Sequence, residues 1–71
     1  MTPRQYLQRP YWRHIIPDSD GTYLAKIEEF PGCIATGETV SEAISNLEKV
    51  ALTWLRVTIA KGQLIPEPRN H

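Results

Sequence analysis

The pair of residues closest to a nucleophile and its base in this sequence is Cys33 with His14. A thiol and an imidazole can perform covalent catalysis when they come within hydrogen-bond reach of each other. Cys33 follows a Pro-Gly turn as the first residue of a predicted strand, where a small buried thiol is the commoner outcome. His14 falls on the strand face that we assign to the core, which favours a hydrogen-bonded structural histidine. We therefore expect no catalytic pair here.

Four carboxylates could suggest a metal-dependent hydrolase: Asp18, Asp20, Glu28 and Glu29. Hard cations need oxygen ligands that converge on one point. The aspartates belong to a predicted turn, and the glutamates to an outer strand face and a loop, so nothing brings the four together. One cysteine and two histidines offer no zinc spacing, and the glycines fall at turns and caps rather than in a phosphate loop. We expect no metal, no cofactor and no enzymatic activity; a remnant nuclease is the alternative that converging carboxylates would favour.

Length and charge narrow the class of protein. Seventy-one residues make one domain, and a core this small usually needs a partner or another source of stability. Lys plus Arg and Asp plus Glu both number 8, so the formal net charge is zero, which argues against a nonspecific polyanion binder. A single cysteine cannot form an internal disulfide, and no apolar run approaches the roughly 20 residues of a membrane span. We expect a cytoplasmic protein with no membrane segment.

One basic and aromatic cluster near the N-terminus could stack on single-stranded RNA. The cluster consists of Arg4, Arg9 and Arg13, interleaved with Tyr6, Tyr11 and Trp12. Because the net charge is zero, we favour a solvated N-terminal arm whose aromatic side chains pack on the sheet.

The elements that must position these residues begin with a β-hairpin. Residues 11–16 and 22–28 are rich in aromatic and β-branched residues, and the turn residues 18–21 lie between them. If those four residues form the loop, Pro17 pairs with Thr22, and the alternation of side chains sets the two faces. The face that we assign to the core has Trp12, His14, Ile16, Tyr23, Ala25 and Ile27. The outer face has Tyr11, Arg13, Ile15, Leu24, Lys26 and Glu28.

A third strand and one long helix complete the predicted fold. A Pro-Gly turn precedes a strand over 33–36, a Thr-x-x-Glu capping box precedes a helix over 40–61, and a glycine follows that helix at its C-cap. Residues 64–65 could add a short final strand. This predicts an α+β fold at 11–66, a two-layer β-β-β-α-β domain with an antiparallel sheet and one long helix on one face, flanked by a loose arm at 1–10 and a frayed tail at 67–71. The structural turn and cap residues are Gly21, Pro31, Gly32, Thr39, Glu42 and Gly62.

The predicted helix carries two apolar stripes. The wider stripe, which we assign to the core, contains Val40, Ala43, Ile44, Leu47, Val50, Ala51, Trp54 and Val57. A second set, Leu52, Leu55 and Ile59, lies about a quarter-turn or more away. Either the final strand and Tyr6 or Leu7 cover this second set, or it forms an interface with another chain, which we favour because contiguous apolar surface on a small domain usually marks a contact. The second choice of interface is the outer sheet face, at Tyr11, Ile15 and Leu24.

Several motifs, in a gapless order, resemble the HicB-like antitoxin domain in its single-domain form. They are Arg9-Pro10-Tyr11, Pro17-Asp18-Ser19-Asp20-Gly21-Thr22-Tyr23 and Glu29-Phe30-Pro31-Gly32-Cys33, followed by Gly37-Glu38-Thr39, Glu42-Ala43, Asn46-Leu47, Trp54 and Gly62-Gln63-Leu64-Ile65-Pro66-Glu67-Pro68. The family's first strand leads us to expect small or aliphatic residues at positions 12 and 14, where this sequence has Trp12 and His14.

The resemblance implies a reduced ribonuclease H-like fold without the catalytic acids, and a partner. The expected partner is a HicA-type toxin, a small mRNA-cleaving protein that the antitoxin of a type II toxin-antitoxin system neutralises by binding. Many full-length family members continue into a DNA-binding domain. Because this sequence stops at His71, we expect no direct DNA binding. We also expect self-association as a dimer or larger, and the alternative function is an orphan self-associating module that binds a protein or small ligand and has no toxin partner.

Overall fold

Three antiparallel strands and one long helix form the frame of the molecule. A computed structural model describes residues 1–69, and its elements are α1 (Pro3–Leu7), β1 (Arg13–Pro17), β2 (Tyr23–Ile27), β3 (Ile34–Gly37) and α2 (Val40–Ala60). The strands lie in the order β1-β2-β3, and both neighbouring pairs are antiparallel. α2 packs on one face of the sheet, most closely against β3 and then against β2. The predicted α+β class, with an antiparallel sheet and one long helix, is confirmed.

The hairpin between β1 and β2 has a shorter loop than the sequence led us to expect. Pro17 pairs with Tyr23 rather than with Thr22. The Asp18 N–H donates to the carbonyl of Thr22 (2.9 Å), and Gly21, with φ 86°, ends a turn that its own N–H closes on Asp18. A type I turn followed by a left-handed glycine makes a three-residue loop, and this moves the strand pairing by one residue.

The one-residue shift exchanges the two faces of β1 relative to the prediction. Arg13 and Ile15 stand opposite Ile27 and Ala25 and therefore share the face that α2 covers. The core assignment of Tyr23, Ala25 and Ile27 is confirmed by their burial in or packing against the core. The assignment of Trp12, His14 and Ile16 to the core is wrong. Trp12 and Ile16 are 43% and 45% exposed, and His14 lies on the face away from α2.

The core stripe of α2 also differs from the prediction. Its buried residues are Ala43, Leu47, Ala51, Leu55 and Thr58, whereas Val40, Val50 and Val57 are exposed. Small side chains explain why the buried stripe of α2 is rotated from the predicted one, because Ala43 and Ala51 let the helix approach the sheet closely. A Cβ on Gly37 would lie 2.4 Å from the backbone nitrogen of Ala43. A stripe chosen from the large apolar residues misses this contact line.

Aromatic rings fill the other end of the core. Phe30 stacks on Trp54 with ring centres 4.5 Å apart and planes at 15°, and it packs at a tilt against Tyr11, also at 4.5 Å. Cys33 is buried beside them, as predicted. Tyr11, which the sequence placed on the outer face, is only 4% exposed and belongs to this core.

The predicted ends of α2 are largely confirmed. The Thr39 hydroxyl accepts the backbone N–H of Glu42 at 3.0 Å. The Glu42 carboxylate reaches the N–H of Glu38 at 3.4 Å rather than that of Thr39. At the other end Gly62 has φ 70°, and its N–H donates to the carbonyl of Ile59 at 3.0 Å, as expected of a helix C-cap.

The predicted loose arm at 1–10 contains a short helix, α1, over residues 3–7. Thr2 caps α1 by accepting from the Gln5 N–H, and the Gln5 side chain accepts from the Thr2 N–H at 2.7 Å. Pro3 stands at the first helical position, where its missing N–H costs nothing. Tyr6 and Leu7 pack against the core. Thr-Pro-x-Gln is a capping box that the prediction overlooked.

The segment after α2 makes no strand among the described residues. The final strand expected at Leu64 and Ile65 is absent: Leu64 is 95% exposed, and Ile65 packs on the core without ladder hydrogen bonds. Two prolines at 66 and 68 remove the donors that a ladder would need. Residues 65–69, which we name the C-terminal strap, are instead held by individual hydrogen bonds. The predicted frayed tail is therefore attached through residue 69, and its last two residues lie outside the described range.

Candidate protein-binding surfaces

The sheet face opposite α2 carries apolar and polar side chains in equal number. We name it the outer sheet face. It carries His14, Ile16, Leu24, Lys26, Ile34 and Thr36, which the strand register aligns in two cross-strand rows. Ile16 and Ile34 are 45% and 48% exposed. α1 contacts α2, so both helices lie on the other face, and no helix of the described chain covers this one.

One end of the sheet is acidic. The β1–β2 hairpin and the turn from β3 into α2 meet there, because Tyr23 pairs with both Pro17 and Gly37. The four carboxylates of this acidic end are Asp18, Asp20, Glu38 and Glu42, and residues 17–23 and 37–43 contain no Lys or Arg. The Thr22 hydroxyl and N–H both bond the Asp20 carboxylate, which lowers the pKa of that group. Asp20 therefore stays ionised throughout the physiological pH range.

The candidate catalytic residues lie on opposite faces of the sheet. Cys33 is 1% exposed on the α2 side, and burial raises the pKa of its thiol, so the sulfur stays protonated. His14 is on the outer sheet face, with its Nε2 atom 3.5 Å from the Glu28 carboxylate rather than in the core. Within residues 1–69 no three His, Cys, Asp or Glu side chains come together as a metal site. Cys33 and His14 are therefore not placed as a nucleophile and its base.

Glu29 has a structural position that the sequence pattern did not reveal. It is 6% exposed, and its carboxylate accepts the N–H of Trp12 at 3.0 Å and the N–H of Arg69 at 2.9 Å. Burial raises the pKa of this carboxyl, but the backbone hydrogen bonds from Arg69 and Trp12 outweigh burial and the pKa is lowered. Tyr11 adds a 2.7 Å hydrogen bond to the carbonyl of Pro66. Glu29 thus joins the start of β1 to the C-terminal strap.

The two flanks of α2 differ in how far other parts of the chain cover them. On one flank α1 lies against the helix, and Leu7 and Leu52 line a shallow cleft between them. On the other flank Val50 and Val57 are 37% and 47% exposed, and the edge of Trp54 lies beside them. We name the first flank, with α1 and the free edge of β1, the β1 side. The second flank, with the free edge of β3, is the β3 side.

The residues that the sequence predicted as interface candidates do not lie together on one surface. Leu55 is fully buried in the core and Tyr11 nearly so, and Ile15 faces α2, so none of these three offers a contact surface in the folded chain. Leu52 is half-buried beside α1. Ile59 remains exposed at 39%, and Leu24 is half-buried on the outer sheet face. The exposed apolar residues that the sequence pattern did not indicate include Ile16, Ile34, Val40, Val50 and Val57.

The described residues hold no helix long and apolar enough to cross a lipid bilayer.

Comparison with known proteins identifies a family. A family model described as UPF0150-like matches residues 12–66 of the chain. The UPF0150 protein ssl0259 of Synechocystis sp. is 35% identical over 52 residues, which cover 73% of this chain and 71% of that relative. The matched range runs from the start of β1 through α2 to the C-terminal strap. The chain therefore belongs to the UPF0150-like family.

Proposed function

We propose that this UPF0150-like chain is a non-enzymatic, HicB-like antitoxin domain that neutralises a HicA-type mRNA interferase by binding it and occluding its active site. The observation that carries the proposal is the open outer sheet face, which ends at the acidic end of the molecule. A domain that works by occlusion needs a surface with an apolar anchor and complementary charge, and it needs no catalytic group.

The outer sheet face supplies the apolar anchor. Ile16 and Ile34 stand on the two edge strands; Leu24 lies directly beside Ile16, and Ile34 is diagonal to Leu24, opposite Lys26. The three therefore run obliquely across the sheet, at the spacing of diagonal neighbours. Contiguous exposed apolar surface on a small domain usually marks a protein contact. Lys26 and Thr36 lie within the same face and can hydrogen-bond a partner's backbone, which adds specificity to the apolar contact.

The acidic end supplies charge complementarity to a basic, RNA-cleaving partner. An enzyme that holds an RNA backbone presents positive charge around its active site. Four carboxylates without a neighbouring Lys or Arg attract such a surface over several ångströms and orient it before contact. The zero net charge of the whole chain therefore hides an uneven distribution, and its acidic part adjoins the apolar patch.

The placement of Cys33 and His14 supports binding rather than catalysis. The thiol is enclosed in the core with a raised pKa, and the imidazole lies on the other face of the sheet. Neither group can activate the other without a rearrangement of the sheet.

Co-expression tests this function. The chain is expressed with the product of the adjacent open reading frame, and growth and co-purification are scored. We expect the neighbour to arrest growth alone and the pair to grow and co-purify. Ile16→Asp, an exposed change on the outer sheet face, should abolish both rescue and co-purification, whereas the matched control Ile59→Asp on α2 should leave both intact.

Two results would contradict the proposal. If the neighbouring protein alone does not arrest growth, it is not a toxin and there is nothing for this chain to neutralise. Loss of rescue with Ile59→Asp but not with Ile16→Asp places the contact on α2, as the sequence pattern first indicated. The second candidate function, an orphan self-associating module, is favoured by the bare β3 side and predicts a stable oligomer with no toxic neighbour.

A further inference from the structure

We infer that β3 pairs with β3 of a second copy about a two-fold axis, which joins two three-stranded sheets into one of six strands and packs α2 against α2. This inference concerns the assembly of the chain with itself, and it stands whether or not a toxin partner exists. It uses the β3 side, and it leaves the acidic end and most of the outer sheet face free.

The free edge of β3 has backbone groups available for another strand. The Ile27 N–H donates to the carbonyl of Cys33, so Cys33, Ala35 and Gly37 direct their backbone groups toward β2. The N–H and C=O groups of Ile34 and Thr36 therefore point away from the sheet. Within the described residues only the Thr36 carbonyl has a partner there, the Asn46 side-chain amide at 2.8 Å. A carbonyl can accept a second hydrogen bond, so this contact does not block pairing.

The free edge of β1 is protected against the same pairing. The alternation directs the backbone groups of Arg13, Ile15 and Pro17 outward, because His14 and Ile16 bond β2. Proline offers no N–H, and proline on an edge strand is a common defence against unwanted strand addition. The Arg13 guanidinium also donates to the carbonyl of Leu7 at 3.0 Å, which ties this edge to the last residue of α1. β3 has no such protection.

The exposed flank of α2 lies above the β3 edge. The hydrogen bond from Asn46 to Thr36 shows that this helical stripe faces the edge. Val50, Trp54 and Val57 follow Asn46 at helical spacing on the same flank. Strand pairing alone would leave these side chains in water, whereas pairing about a two-fold axis brings the two flanks together.

The spacing of the two layers fits this arrangement. Paired strands lie about 4.8 Å apart, and α2 lies over β2 and β3, so its axis is about 2–3 Å inside β3. The axes of the two copies of α2 would then be about 10 Å apart, the distance at which helices pack through side chains of ordinary size. With the two-fold axis at Ala35, Ile34 of each copy stands opposite Thr36 of the other, and four backbone hydrogen bonds form.

The area is sufficient for a weak but specific dimer. α2 is about 30 Å long, and the thinnest dimension of the molecule is 18 Å. The β3 side therefore offers on the order of 500 Å² from each copy, and the roughly 1,000 Å² buried in total reaches the lower range of specific interfaces. We expect a dissociation constant in the micromolar range.

Sedimentation equilibrium from about 10 μM to about 1 mM tests the dimer with two matched variants. The wild-type mass should rise from 8.1 kDa toward twice that value. Val50→Lys, which places two charges in the interface, should weaken association at least about tenfold. Ile59→Lys, an equally exposed apolar residue of α2 outside the β3 side, should leave it unchanged. A monomer at all concentrations, or equal effects of the two variants, would overturn the inference.

Amide hydrogen exchange of the unmodified protein locates the edge. The Ile34 and Thr36 amides should become protected as concentration rises, whereas the outward Arg13 and Ile15 amides should not. Protection of the β1 amides instead would refute pairing through β3.

For the register, Ala35→Cys in a Cys33→Ala background should form a disulfide between copies, because residues at the axis are about 4.5 Å apart. A dimer that forms no such disulfide would contradict this register.

Discussion

The β1 side and the β3 side of this domain carry similar apolar residues, but only one of them is covered. On the β1 side α1 lies beside Leu52, and Pro17 removes a donor from the free strand edge. On the β3 side Val50 and Val57 are exposed, and the free edge keeps the N–H groups of Ile34 and Thr36. The chain therefore covers one side with its own residues and leaves the other exposed.

Both ends of the described chain lie on the covered side. α1 precedes β1 and packs near its start, and the C-terminal strap bonds Tyr11, Trp12 and Glu29 at the same strand end. Because a domain of this size has a small core, these two segments add burial that three strands and one helix lack. Neither segment covers the β3 side, where Val50 and Val57 stay exposed in the part of the chain that the structure describes.

Three truncations along α2 measure this difference, and the largest effect is expected in the core. Leu55→Ala should lower the free energy of unfolding by about 3 kcal/mol, because the side chain is fully enclosed. Leu52→Ala, half-buried beside α1, should cost about 1 kcal/mol, and Val50→Ala on the β3 side less than about 0.5 kcal/mol in the monomer. Urea unfolding at low protein concentration, with the slope compared between variants, measures all three.

The order of these three costs is the critical result. If Leu52→Ala and Val50→Ala have equal effects at low concentration, α1 does not cover its flank and the two sides do not differ. If Leu55→Ala costs under about 1 kcal/mol, Leu55 is not enclosed, and the interface role predicted from the sequence returns.

Local signals in the sequence were sufficient to predict the strands and the long helix, but not which face of each element is buried. The Thr39 cap, Gly62 and the Pro-Gly turn each act within four residues, and all three stand where they were predicted. The face of β1 depends on whether the hairpin loop has three or four residues, and the loop composition allows both. One residue of difference moved Ile16 from the predicted core to the surface and Ile15 the other way.

The candidate site was harder to predict because exposure is a tertiary property. A periodicity of 3.6 identifies apolar stripes on α2, but which stripe faces the sheet depends on how closely the helix approaches. Gly37 and Ala43 permit a close approach, and this turns Leu55 inward and Val50 outward. The missed clue was the run of small residues, which periodicity arguments weight least.

The C-terminal strap provides a pH-dependent test of the covered side. The pKa of Glu29 in the folded chain lies below its ordinary value of 4.5, so its contribution is complete above that pH and is lost as the pH falls through the folded value. We expect the free energy of unfolding to decrease below about pH 4.5. Glu29→Gln should remove that part of the decline and cost about 1–2 kcal/mol at pH 7, because a buried carboxylate accepts two backbone hydrogen bonds.

Thermal unfolding from pH 7 to pH 3 separates the strap from the other carboxylates. Glu48→Gln, on an exposed part of α2, is the control and should follow the wild-type profile. An unchanged acid profile in Glu29→Gln would mean that the carboxylate does not hold the strap at the start of β1.

Loss of the α1 cap is expected to act on one short helix alone, and it gives the sharpest test of the two sides. Thr2→Ala removes the hydroxyl that accepts the Gln5 N–H, and such caps are worth about 1 kcal/mol, enough to melt a five-residue helix without unfolding the sheet. Exchange of the α1 amides should accelerate roughly fivefold. Thr53→Ala, which removes an exposed hydroxyl from the middle of α2, serves as the control for exchange of the α1 amides. Dimerisation should be unaffected, because α1 lies on the β1 side; if Thr2→Ala weakens the dimer as Val50→Lys does, the two copies meet through α1 and the roles of the two sides are reversed.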